Sequence, residues 1–193
     1  MNVVTGFLSA FGLSTASGLN AYIPLLVIGL LGRFAPQLVH LNAPYDILTN
    51  PWLLVALALV ALLDFVADKI PAVDSGLHAI GLVISPLAGA VAFLASTSAA
   101  GGVNPVLAAI CGLLFAGGTH IARTTLRPLA TVTTAGVANP ILSFIEDISA
   151  LVLSLLAILL PILAFLLVLL VALAVFWFVR RVNRGRRAAT IRR

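Results

Sequence analysis

The chain has 193 residues, of which 62% are hydrophobic and 9% are charged, and its mean hydropathy is +1.19. Soluble domains carry about 25% charged residues, so this composition excludes a soluble globular protein and predicts an integral membrane protein. A transmembrane helix needs about 20 mostly apolar residues, which allows roughly five to seven crossings and no sizeable soluble domain. The single cysteine, Cys111, excludes an internal disulfide and a cysteine-based metal cluster.

The net charge of +5 is unevenly distributed along the chain. Seven of the 11 Lys and Arg residues follow the last apolar run, between Arg180 and Arg193. A basic segment directly after a span is typical of a cytoplasmic topology signal, and such segments bind anionic lipid headgroups. We therefore predict one transmembrane domain over residues 1–180 and a polybasic cytoplasmic tail over 181–193. No folded basic domain accompanies the tail, so no binding of nucleic acid is predicted.

Apolar runs separated by polar breaks predict an all-α, polytopic transmembrane bundle of about six spans. With six crossings and a cytoplasmic tail, the N-terminus is cytoplasmic too. Ten of the 11 basic residues then lie on the cytoplasmic side, and Arg33 is the exception. The predicted spans are residues 3–31, 51–70, 76–97, 103–122, 140–159 and 161–180.

Several predicted boundaries depend on single residues. A continuous helix from Ile148 to Val179 would be about 48 Å long, against a hydrocarbon core of about 30 Å. This length favours two spans that turn at Pro161, although one long kinked helix is the alternative. Between the second and third spans, Pro71 is interpreted as the end of one helix and Asp74 as the N-cap of the next.

Two segments are predicted to be broken or re-entrant, near residues 14–24 and 128–140. The first contains LSTASGLNAYIP, and the second is PLATVTTAGVANP. They share a pattern of small residues followed or preceded by asparagine, and HAIGLVISPLA at residue 78 resembles HIARTTLRPLA at residue 120. Paired interruptions in two halves of a chain are typical of transporters with a central binding site. An internal repeat is therefore a hypothesis.

Ionisable residues cluster in the predicted cytoplasmic third of the membrane. Asp64 and Asp68 lie on one helical face, and so do Arg123 and Arg127, because residues four apart are neighbours on a helix. Intramembrane ionisable residues are candidates for function. Two interpretations stay open: an ion-pair network that fixes helix register, and a polar cavity that binds a ligand. The candidate binding residues are Asn20, Asp64, Asp68, Lys69, His120, Arg123, Arg127, Glu146 and Asp147.

Known catalytic motifs are missing from the sequence. It contains no HExxH, GxSxG, P-loop or GxGxxG motif. His78 and His120 are interpreted as hydrogen-bonded side chains rather than as metal ligands. We predict no catalytic residue, no metal site and no cofactor, and whether the protein is an enzyme stays open, with the balance against it.

Three motifs resemble a family of bacterial membrane proteins called domain of unknown function 4126. The first is Gly18-Leu19-Asn20-Ala21-Tyr22-Ile23-Pro24, and the second combines Asp64, Ala67, Asp68, Lys69, Pro71 and Asp74. The third is Ser143 with Glu146 and Asp147. The chain departs from the family pattern at Asn20 and Ser85, where arginine is expected, and at Asp64, where glutamate is expected. The resemblance implies a bacterial plasma membrane protein and no established activity.

The charged cluster and the interrupted helices predict transport or permeation of a small ion, a polar solute or a lipid headgroup. One alternative is an accessory or assembly subunit, with a second copy or another membrane protein as its partner and a purely structural cluster. The other alternative is a membrane enzyme that acts on a lipid headgroup.

Overall fold

A computed structural model describes the backbone of residues 3–67, 71–98, 101, 103–134 and 139–191. Within these ranges all regular structure is helical, as the composition predicts. The elements are α1 (Val3–Leu19), α2 (Tyr22–Phe34), a 3-10 helix (Tyr45–Thr49), α3 (Pro51–Ala67), α4 (Pro71–Ser98), α5 (Pro105–Thr134), α6 (Asn139–Leu159) and α7 (Pro161–Ile191).

Three stretches of helix are long and apolar enough to cross a membrane, against the six spans that the sequence predicts. They are Ile80–Ser98 in α4, Pro105–Thr125 in α5 and all of α6. By contrast α1, α2 and α3 have 17, 13 and 17 residues, about 25, 20 and 25 Å. These three helices are shorter than a hydrocarbon core of about 30 Å. The apolar helices support a membrane protein, whereas the six-span count and the internal repeat stay predictions.

Helix α1 lies at the centre of the bundle and contacts α2, α4, α5, α6 and α7. Its buried face consists largely of glycine, alanine and serine, which allow backbones to approach closely within a membrane. The hydroxyl of Ser14 donates to the carbonyl of Gly112 on α5 at 2.8 Å. A Cβ at Gly112 would lie 2.6 Å from Cα of Ala90 on α4. Small residues therefore allow the close packing of α1, α4 and α5.

Helix α3 lies at the edge of the bundle. It packs mainly on α2 and the 3-10 helix, has few contacts with α4 and has no close backbone contact with α5 among the described residues. Its outward side chains are apolar and exposed, including Trp52, Leu59 and Leu63. In a membrane such a surface faces lipid, so α3 separates the bundle from the bilayer on this side.

The junction at Pro161 is a sharp bend rather than a loop. Helix α6 ends at Leu159 and α7 begins at Pro161. A Cβ at Gly12 would lie 2.7 Å from the Cβ of Ala157 and 3.5 Å from that of Ala164. Seven residues of straight helix rise about 10.5 Å, so these two alanines are brought together by a bend. The bend therefore separates α6 from α7 at the position where the two-span interpretation places the turn.

One other predicted boundary was wrong, and another is only partly described. The segment predicted to be broken or re-entrant near 128–140 is helical as far as Thr134, and α6 begins at Asn139. Residues 135–138 lie outside the described part of the chain. Helix α4 begins at Pro71 rather than after Asp74, since proline is favoured in the first helical position.

Candidate functional site

The predicted interruption within residues 14–24 is present between α1 and α2. Helix α1 ends at Leu19 and α2 begins at Tyr22, which leaves backbone groups at both ends without partners inside the helices. The side-chain oxygen of Asn20 accepts the N–H groups of Tyr22 at 2.9 Å and Ile23 at 3.1 Å. At the other end, the Arg123 guanidinium donates to the carbonyl of Leu19. Two side chains therefore stabilise the break.

Asn20 also bridges two carboxylates on different helices. Its side-chain nitrogen donates to Asp147 on α6 at 2.9 Å and to Asp64 on α3 at 3.3 Å. The residue is only 4% exposed. Both acids consequently lie beside the N-terminus of α2, where the partial positive charge of a helix favours anions. Asn20 therefore caps the first turn of α2 and also connects α3 to α6 through their two acids.

Arg123, Arg127 and Glu146 form a compact ion-pair network between α5 and α6. The Nε of Arg123 lies 2.7 Å from Oε2 of Glu146, and Nη2 of Arg127 lies 3.4 Å from the same oxygen. Arg127 also donates to the hydroxyl of Ser143. The side chains of Arg123, Arg127 and Glu146 are 10%, 7% and 17% exposed. Because the two backbones have few close contacts, these long side chains connect α5 to α6.

His120 lies on the other side of Arg123, against α4. Its Nδ1 is 3.2 Å from the hydroxyl of Ser85, and the residue is buried. The ring fits against Gly81, where an added Cβ would lie 2.6 Å from Cε1. A glycine at this position is therefore required for the imidazole to reach Ser85.

These groups surround a cleft at the α1–α2 break. The empty space between its walls, including the part that is open to the surroundings, is about 430 Å³. The wall combines one carboxylate, one guanidinium, an imidazole, a phenol, an amide and a hydroxyl, so the cleft offers both donors and acceptors and both signs of charge. It is lined by Asn20, Ala21, Tyr22, Asp64, Ile80, Gly81, Ile84, Ser85, His120 and Arg123.

The nine residues proposed from sequence have three different outcomes. Four of them line the cleft: Asn20, Asp64, His120 and Arg123. Three more lie outside the lining: Asp147 contacts Asn20, Glu146 contacts Arg123, and Arg127 contacts Glu146. Asp68 and Lys69 lie outside the described residues.

Three polar residues that contribute to the site were not among the nine. Tyr22 and Ser85 line the cleft, and Ser143 bonds Arg127. Ser143 and Tyr22 belong to the family-like motifs, which could have identified them. Ser85 pairs with a residue 35 positions away, and its sequence surroundings give no signal of that contact. Within the described residues no three His, Cys, Asp or Glu side chains are grouped as a metal site requires.

Comparison with known proteins gives one family. A profile of the family described as Domain of unknown function (DUF4126) matches residues 7–181, which is nearly the whole chain. No match was found among curated proteins or among solved structures.

Proposed function

The chain belongs to the DUF4126 family, and we propose from the geometry of its cleft that it transports or conducts a small polar or charged group across the membrane. The group is an ion, a polar solute or the headgroup of a lipid. Asp64 binds it on one wall of the cleft, while Arg123 and His120 face it from the other. Asn20, Asp147, Glu146 and Arg127 hold these walls in position.

The observation that carries this proposal is the interrupted helix. The end of α1 and the start of α2 meet beside a cleft that also contains side chains of α3, α4 and α5. In transporters, discontinuous helices present backbone dipoles to a bound substrate near the middle of the membrane. Irregular backbone at membrane depth is tolerated where it lines a cavity of this kind.

We extend the proposal to location and orientation: a bacterial plasma membrane protein with both termini in the cytoplasm and the cleft in the cytoplasmic third. The C-terminal helix supports the cytoplasmic position of the C-terminus. Its apolar part, Pro161–Trp177, is followed by Arg180 and Arg181, which stack on Phe176 and Trp177 with 4.6 and 5.1 Å from guanidinium to ring centroid. Aromatic residues followed by arginines are typical of the cytoplasmic membrane interface.

A second candidate is an accessory or assembly subunit in which the charged network is structural. The compact pairing of Arg123 and Arg127 with Glu146 favours it, because such a network also fixes the packing of two helices. The two candidates differ at Asp64, which lines the cleft. A membrane enzyme acting on lipid headgroups stays a prediction, and no described contact favours it.

The test is flux through purified protein in proteoliposomes. Three probes are measured: protons by an internal pH dye, radiolabelled glycerophosphoethanolamine, and phosphatidylethanolamine with a fluorescent acyl chain. We expect protein-dependent movement of at least one probe, its loss in Asp64→Asn, and its retention in Asp46→Asn. Asp46 is an exposed acid in the 3-10 helix and gives the same chemical change away from the cleft. The transport proposal is wrong if no probe moves. It is also wrong if Asp64→Asn moves the transported probe as fast as the wild type does.

A further inference from the structure

The mouth of the cleft lies where α3 stands apart from its neighbours. Asp64 on α3 forms one wall, and residues of α4 and α5 form the opposite one. Yet α3 has few contacts with α4 and no close backbone contact with α5 among the described residues. Near the cleft, the contacts of α3 include the Asn20–Asp64 hydrogen bond and the ring of Phe65, which lies 6.4 Å from that of Phe144 on α6. Among the described residues, few contacts between α3 and α4 close the gap on this side of the cleft.

The rim of this gap is apolar, whereas its floor is polar. Ile80 is 54% exposed, and on the same face of α4 Ile84 follows one turn later inside the cleft. On α3, the exposed Val60 lies one turn before Asp64 on the same face. Beyond the rim, α4 exposes Leu82, Val83 and Leu87. A polar floor behind an apolar rim matches an amphiphile that enters from the bilayer.

We propose that the cleft binds the zwitterionic headgroup of a phospholipid, which enters sideways between α3 and α4. This inference rests on the proposed function and names its substrate class. The ammonium group lies against the Asp64 carboxylate, and the phosphate lies against the Arg123 guanidinium. The acyl chains extend between Val60 and Ile80 into the surrounding lipid.

The charges of the lining favour a zwitterion over an anion. Asp64 and Arg123 are the carboxylate and the guanidinium of the cleft wall, so a headgroup with both signs places one charge beside each, while Arg123 keeps its pairing with Glu146. A headgroup with only a phosphate would place a negative charge near Asp64, and desolvated like charges repel strongly. Anionic lipids are instead attracted by the basic residues that follow Trp177, which are separate from the cleft.

Lipid binding to the purified full-length protein tests this inference by native mass spectrometry. Phosphatidylethanolamine and phosphatidylglycerol of identical acyl chains are titrated separately, and soluble glycerophosphoethanolamine is added as a competitor. We expect one tightly retained phosphatidylethanolamine, bound about tenfold more weakly by Asp64→Asn, since a charge-assisted hydrogen bond is lost. We also expect weaker binding by Ile80→Trp, which fills the mouth from an exposed position.

Matched controls separate the cleft from the rest of the surface. Asp46→Asn and Ile110→Trp make the same chemical changes at exposed positions away from the cleft, and both are expected to bind like wild type. An equal loss of both phospholipids in Asp64→Asn, or full retention of phosphatidylethanolamine by Asp64→Asn and Ile80→Trp, would overturn the inference. Displacement of the lipid by glycerophosphoethanolamine at equal concentration would assign the site to a solute from water instead.

The inference and the transport proposal can fail separately. Selective binding of phosphatidylethanolamine without movement of any probe would contradict transport and keep the headgroup site. Asp64-dependent flux of protons or glycerophosphoethanolamine without selective lipid binding would keep transport and overturn the headgroup site.

Discussion

The side-chain nitrogen of Asn20 donates a 2.9 Å hydrogen bond to the carboxylate of Asp147, which lies 127 positions later in the chain. The oxygen of the same amide caps the first turn of α2. One buried residue therefore stabilises a helix break and positions an acid from another helix. An arginine would be expected at this position from the family motif, and it could donate to the acids but could not accept the N–H groups of α2.

Asn20→Asp tests this double role. Aspartate caps a helix as well as asparagine does, but it lacks the amide donor and adds a negative charge beside Asp64 and Asp147. We expect the free energy of unfolding to fall by more than about 2 kcal/mol, since a buried charge loses its compensation. Thermal unfolding in detergent measures the change.

Asn104 supplies the control for that substitution. Its side-chain oxygen accepts the N–H groups of Val106 at 2.9 Å and Leu107 at 3.4 Å at the start of α5, in an exposed position. Asn104→Asp should change the unfolding free energy by only a few tenths of a kcal/mol. Equal effects of the two substitutions would mean that the bridge to the acids contributes nothing.

Glycine 81 is predicted to be required for the position of His120. In Gly81→Ala the new Cβ would lie 2.6 Å from Cε1 and 3.1 Å from Nε2 of the imidazole, so the ring must move away from Ser85. Nitrogen-15 NMR of the imidazole should report a changed hydrogen bond at Nδ1. The control is Gly118→Ala, which meets nothing within 4 Å and should stabilise α5 by up to about 1 kcal/mol. An unchanged His120 spectrum in Gly81→Ala would refute the geometry of the cleft wall.

Glu146 should interact more strongly with Arg123 than with Arg127. The nearest atoms are 2.7 Å apart in the first pair and 3.4 Å in the second. Double-mutant cycles with alanine at each position should give coupling energies of about 1–3 kcal/mol for Arg123 and less for Arg127. Each single arginine substitution should destabilise the protein by about 1.5–3 kcal/mol, because Glu146 loses one of its two charged partners and keeps the other. A larger coupling for Arg127 would contradict the network.

The helical class of the fold was predictable because apolar runs alternate with polar breaks along the chain. Proline and asparagine mark several helix starts, at Pro51, Pro105 and Pro161 among others. The errors occurred where local signals are ambiguous. Pro71 begins a helix as readily as it ends one, and Pro128 is tolerated inside α5. The turn at Pro161 was predicted from the length of the apolar run, whereas the close approach of Gly12 to Ala157 and Ala164 at this bend is a tertiary contact.

The sequence could identify the acids and arginines of the candidate site as candidates, but it could not predict the shape of the cleft. Charged residues at membrane depth are rare, so Asp64, Glu146 and Arg123 stand out in a sequence that is 9% charged. Asn20 could be named because it interrupts an apolar run. Gly81 could not, because small residues are common throughout these helices and its contact with His120 is purely tertiary. Ser85 stands out only as a departure from the family motif, and its contact with His120 is tertiary as well.

The basic end of α7 is expected to select anionic lipid. Arg180 and Arg181 are exposed and stack on aromatic rings at the end of the apolar part of this helix. Replacing both by glutamine should weaken retention of phosphatidylglycerol in native mass spectrometry by about 1 kcal/mol per charge. Arg33→Gln removes another exposed arginine and serves as the control. Equal losses in the two proteins would show that the tail has no special role.

The most direct test of transport through the cleft blocks its mouth in a protein that is already folded. In a Cys111→Ala background, Ile80→Cys supplies the only thiol, and a bulky methanethiosulfonate reagent closes the opening reversibly. Ile110→Cys, on the exposed face of α5, is the labelling control. We predict that labelling at residue 80 abolishes the flux of whichever probe the wild type moves, that a reducing agent restores it, and that labelling at residue 110 has no effect. Undiminished flux after complete labelling at residue 80 would contradict transport through this cleft.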